Sequence, residues 1–172
     1  MSKELFWAFF LFLWATSVFA DNPGESQAVP VQDQRIDRMF DLVNRIRAER
    51  RIPILGLDAS LCHAAAVHAE EMARNNYVGD RGPGIFPFRS SPGSRALASG
   101  YAWSTIAEAV CAGSPDVASV LNSWLRSRAH ARILFDEQYY DAGIGIARGA
   151  VRTYRVLMLA TRPPNIRARL GE

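Results

Sequence analysis

The sequence predicts an α+β layered domain with mostly antiparallel strands. Three observations carry this. Apolar stripes at helical spacing fill the first half of the chain, one alternating run follows at residues 101–110, and after a further helix two alternating runs flank a tight turn.

Residues 1–20, MSKELFWAFFLFLWATSVFA, combine a short head bearing Lys3, an apolar run from Leu5 to Ala15 and a small-residue end at Ala20, the pattern of a secretory signal peptide. The run falls short of the roughly 20 apolar residues of a membrane span, and no transmembrane segment is expected after cleavage. Residues 21–33 carry prolines and polar groups and are expected to be a flexible lead-in. Removal of residues 1–20 leaves 152 residues, enough for one domain, expected over 34–162, with a basic tail at 163–172.

The first helix places Ile36, Phe40, Val43 and Ile46 on one stripe and must end by Pro53. Asp58 is suited to cap a second helix, with Leu61, Ala65, His68, Ala69 and Met72 facing inward. From Asn75 to Gly100, glycine and proline dissolve the helical pattern and make the likeliest wall of a cleft, with a helical turn or two at Arg95–Ser99. The run Tyr101–Val110 reads as a strand that sets Ile106, Glu108 and Val110 on one face. Ser114-Pro115-Asp116 then starts a helix whose apolar stripe is Val117, Val120, Leu121, Trp124 and Leu125, and His130 follows in a loop. Ala142–Ala147 and Val151–Ala160 form a hairpin, which Pro163-Pro164 terminates.

The whole chain has 20 basic and 17 acidic residues, a net charge of +3, too mild to indicate specific nucleic-acid binding. Late arginines at 148, 152, 155, 162, 167 and 169 suit a solvated edge unless they form one contiguous patch, in which case an anionic envelope partner follows. In an oxidising compartment Cys62 and Cys111 are expected to pair as a disulfide, the alternative being two buried thiols. Glu108 and His130 are the candidate site residues, because an ionisable group among apolar neighbours requires a partner. His68 reads instead as a hydrogen-bonded core histidine.

In order, Leu42-Val43-Asn44-Arg45-Ile46-Arg47, Leu57-Asp58, Ala64-Ala65-Ala66-Val67-His68-Ala69, Ala107-Glu108, Trp124, His130 and Gly143-Ile144-Gly145 resemble the motifs of the cysteine-rich secretory protein, antigen 5 and pathogenesis-related protein superfamily, the CAP or SCP domain. The resemblance covers residues 34–161 and implies a three-layer α-β-α sandwich with a cleft in which Glu108 and His130 face one another. It also implies a second histidine after the alanine-rich helix, with which His130 holds a divalent metal in some members. That position is Asp80 here, within Tyr77-Val78-Gly79-Asp80. Zinc would require His130, Asp80 and Glu108 to converge, so no cofactor is expected. Ala109, Arg128-Ala129 and Ala131 also depart from the family pattern.

The function expected is therefore that of a secreted or periplasmic, non-enzymatic binding module, a monomer holding an envelope or extracellular lipid, glycan or protein in a cleft of Asp80, Glu108 and His130. The alternatives are a weak metal-assisted peptidase or nuclease using the same three residues, and a purely structural domain. No serine or cysteine nucleophile has a recognisable motif around it.

Overall fold

The computed structural model describes residues 34–82, 90–113 and 116–171. The expected signal peptide, the lead-in, and Ser114-Pro115 of the expected helix start lie outside the described residues. So do residues 83–89 of the irregular stretch.

Helix α1 spans Gln34–Glu49. Its buried line is Met39, Val43 and Arg47, and the predicted Ile36, Phe40 and Ile46 flank that line half-buried. Arg47 is tolerated inside because its guanidinium reaches four carbonyls. Nε donates to Pro53 (2.8 Å), Nη1 to Leu134 (2.8 Å) and Asp136 (3.1 Å), and Nη2 to Tyr139 (3.2 Å). Helix α2, Ala59–Asn75, is capped as expected, with Asp58 Oδ1 accepting from the Leu61 N–H at 2.9 Å. Its inward line holds the five predicted residues and Ala64. Helix α3, Pro92–Ala98, opens on a Ser91/Ser94 capping box.

Two strands form as expected, a third begins later, and one was not anticipated. Strand β1, Gly56–Leu57, escapes a periodicity argument because it is two residues long. Strand β2 covers Thr105–Gly113, β3 Asp141–Arg148 and β4 Thr153–Thr161. Their order is β1-β3-β4-β2, with β1–β3 parallel and the other pairs antiparallel, so the sheet is mixed.

Helix α4, Val117–Arg126, is capped by Asp116, which accepts from Ser119 N–H at 2.8 Å. The chain bends at Ser127, which ends α4 and caps α5, Arg128–Leu134, so His130 sits in a helix rather than in the expected loop. The expected tail also differs: Pro164–Leu170 is helix α6, with Arg167 over the Tyr140 ring at 3.9 Å.

The sheet separates two apolar layers. Met39, Val43, Trp124, Leu134, Ile144, Leu157 and Leu159 fill the side of α1, α4 and α5, whereas Leu61, Ala65, Met72, Val156 and Met158 fill the side of α2 and α3. The Gly143-Ile144-Gly145 pattern has a steric cause. A Cβ on Gly143 would lie 2.2 Å from the Leu61 backbone, and one on Gly145 would lie 2.1 Å from that of Ala65, so α2 packs directly on β3.

The disulfide expectation is corrected: both cysteines are free. Cys62 on α2 receives the Ile144 N–H of β3 at 3.5 Å, while Cys111 lies on β2 and packs into the opposite layer. Strand β4 intervenes, and two strand spacings of about 10 Å exceed the roughly 7 Å that a disulfide spans between Cα atoms.

Candidate functional site

Three elements send polar side chains into one place in the α2–α3 layer. The inward line of α2 carries His68, with Glu71 one turn on. Alternation along β2 turns Glu108 the same way as Ile106 and Val110, which pack in that layer. The capped α3 turns Arg95 inward.

Arg95 Nη2 donates to Glu108 Oε1 at 3.0 Å and Oε2 at 2.8 Å, and to the Asp80 carbonyl at 2.8 Å; its Nη1 donates to Ser90 Oγ at 3.1 Å. His68 Nε2 lies 2.8 Å from the Gly79 carbonyl and 3.5 Å from Glu108 Oε2. A carbonyl only accepts, so Nε2 carries a hydrogen. His68 Nδ1 is 3.2 Å from Glu71 Oε2. That contact needs a second proton, held either by an imidazolium or by Glu71. Ser90 Oγ also approaches Glu71 Oε2 at 3.4 Å, and the Tyr77 ring meets His68 edge-on at 6.2 Å.

Burial governs the electrostatics. The side chains of Glu108 and His68 are fully buried and that of Arg95 is 5% exposed. Burial pushes the Glu108 carboxyl up to about 7, Arg95 pulls it down, and Asp80 and Glu71 add to the upward push. His68 is lowered, first by burial and then by the Arg95 charge, against opposing hydrogen bonds to Gly79 and Glu71. The result is a nearly satisfied network that ties α2, α3, β2 and the Gly79–Asp80 backbone together.

Of the predicted cleft residues, Glu108 and Asp80 are brought together through Arg95. Asp80 contributes its carbonyl, while the residue itself is exposed. His130 is not brought to them. Its ring packs edge-on against Trp124 at 6.5 Å, in the α1–α4–α5 layer, and burial is what lowers its pKa. The alternation of β2 is the reason, because Trp124 shares its layer with Ala107 and Ala109, the two neighbours of Glu108. His68 is the hydrogen-bonded core histidine expected, but its place in this cluster was not anticipated, and Glu71 and Arg95 were missed. The (i, i+3) spacing of Glu71 from His68 was the available signal, and nothing local marked Arg95.

The metal implied by the resemblance does not fit these residues. The Arg95 guanidinium lies on both oxygens of Glu108, a fixed cation where a metal would sit, and His130 belongs to the other layer. Among the described residues no group of three or more His, Cys, Asp or Glu side chains converges to hold a metal ion.

Residues 40–160 match the model of the CAP family, described as the cysteine-rich secretory protein family. The chain belongs to that family. In sequence, no curated protein matches this CAP chain significantly. Solved structures share its fold. An extracellular protein containing an SCP domain from Bacillus anthracis is 24% identical with a TM-score of 0.68, over 77% of this chain and 42% of that one. An outer surface protein from Borrelia burgdorferi is 17% identical with a TM-score of 0.69, over 76% and 95%. A cysteine-rich secretory protein from Staphylococcus aureus is 19% identical with a TM-score of 0.58, over 77% and 40%. The chain thus spans less than half the length of the first and third. Among the described residues no helix is long and apolar enough to cross a membrane.

Proposed function

We propose that this CAP domain is a secreted, monomeric binding module that holds an envelope or extracellular lipid, glycan or protein without transforming it. Its binding face is the surface that residues 79–82 and 90–95 form over the Arg95–Glu108–His68 cluster. The observation that carries this is the engagement of both Glu108 oxygens by Arg95 inside the protein, an arrangement that fixes a surface instead of presenting a reactive group. Secretion is supported by the leader pattern and by relatives described as extracellular or outer-surface proteins.

One observation favours a second reading, hydrolysis: a carboxyl raised to about 7 suits a general acid or base. Purified protein and its Glu108→Gln, Arg95→Met and His130→Ala variants, assayed on peptide and nucleotide panels and for association with lipids and peptidoglycan, separate the two. The binding reading expects no turnover, with association weakened by Glu108→Gln or Arg95→Met. Turnover abolished by Glu108→Gln in a folded variant overturns it.

A further inference from the structure

The late arginines do not form one surface. Arg155 is buried, Arg162 is bound to Asp58, and Arg167 covers Tyr140, whereas Arg148 and Arg152 stand at the β3–β4 turn, where α1 brings Arg35. There Arg35, Arg148 and Arg152 line a depression of about 280 Å³ beside the backbone of Gly113 and Gly149, with no carboxylate among the described residues of its wall. A second depression, of about 260 Å³, shares Arg35 and adds Arg38 and Asp116. A third shares Arg148 and adds Arg74 and Glu70.

Three features distinguish this corner. Arg35 and Arg38 sit at the start of α1, where the helix dipole is already positive and a cation is disfavoured; Asp37 is the acid of that turn. Arg155 lies buried nearby, its pKa lowered chiefly by burial and also by the Arg35 charge, against the opposing influence of Cys111 and Asp116. Arg152 is held in one plane, its Nε donating to Tyr154 Oη at 3.0 Å and its Nη2 to Asn76 Oδ1 at 2.9 Å. Three arginines around one hollow, Arg152 among them already oriented, match the bidentate recognition of a phosphate.

We infer that the hollow between the start of α1 and the β3–β4 turn binds a phosphate group, either free or carried on a lipid headgroup. Val151, 94% exposed at the tip of the turn, is placed to enter a bilayer surface if the lipid is the source. The site is remote from the Glu108 cluster and does not depend on the binding face proposed there.

The test titrates purified protein with inorganic phosphate by calorimetry, and in parallel measures co-sedimentation with phosphatidylcholine vesicles with and without phosphatidylglycerol. Arg35→Gln/Arg148→Gln is expected to weaken binding about tenfold or more, and Arg167→Gln/Arg169→Gln to leave it unchanged. Binding of free phosphate identifies the ion as ligand. Binding confined to phosphatidylglycerol vesicles, weakened by Val151→Ser, identifies the headgroup. Binding to neither probe, or binding that survives Arg35→Gln/Arg148→Gln in a folded variant, overturns the inference.

Discussion

His68 Nε2 of α2 stands 3.5 Å from Glu108 Oε2 of β2, so the carboxylate finds its imidazole in the alanine-rich helix rather than after the tryptophan helix. Arg95 completes the pair, and the three side chains form one energetic unit.

That unit is measurable by double-mutant cycles in urea. Arg95→Met strands a buried carboxylate and should cost about 3–5 kcal/mol at neutral pH. In the cycle with Glu108→Gln, the coupling should exceed about 1 kcal/mol, whereas the cycle of Glu108→Gln with His130→Ala should stay below about 0.5 kcal/mol. A large Glu108–His130 coupling would show that the two layers communicate.

The raised carboxyl fixes a pH dependence. Glu108 titrates at about 7 when folded against 4.5 as the ordinary value, so the native state binds the extra proton between those limits. Its contribution is full below pH 4.5 and is lost as pH rises through 7, a change of about 3 kcal/mol. His68, lowered in the fold, acts oppositely and loses stability as pH falls through its ordinary 6.5. Unfolding free energies of the wild type minus those of Glu108→Gln, measured from pH 4.5 to 8, should isolate the first slope. A flat difference would refute it.

Free thiols predict a simple mass experiment. Burial raises the pKa of Cys62, and that of Cys111 to about 11, so alkylation at pH 8 should be slow in the native protein. Unfolded without reductant, the chain should take up two alkyl groups. Uptake of none would establish a disulfide.

Gly143→Ala tests the contact of α2 with β3. The added methyl meets backbone at Leu61, which no rotamer change relieves, and should cost about 3 kcal/mol or more by urea denaturation. A loss under about 1 kcal/mol would mean that the helix lifts freely.

The elements with strong local signals were legible: the inward line of α2, the Asp58 cap and the β3–β4 hairpin stand where sequence put them, to within two residues at the hairpin's ends. Partnership was harder. Glu108 was identified as a buried carboxylate needing a companion, but its companion is decided by which side of β2 it leaves, and Trp124 claims the side next to Ala109. Arg95 lies behind Pro92-Gly93, a dipeptide that signals a turn, yet here the proline opens a capped helix. The burial of Arg47 was not legible either, because only tertiary structure supplies the four carbonyls that hold it.

The four-stranded sheet also acts as a partition. Its wall of Met158, Leu157 and Ala109 offers no side-chain donor that could relay a hydrogen bond from the glutamate on one side to the imidazole on the other, and burial is the cause that lowers that imidazole. Substitutions can therefore rebuild the hydrogen bonds on either flank of this domain while the opposite flank keeps its own partners.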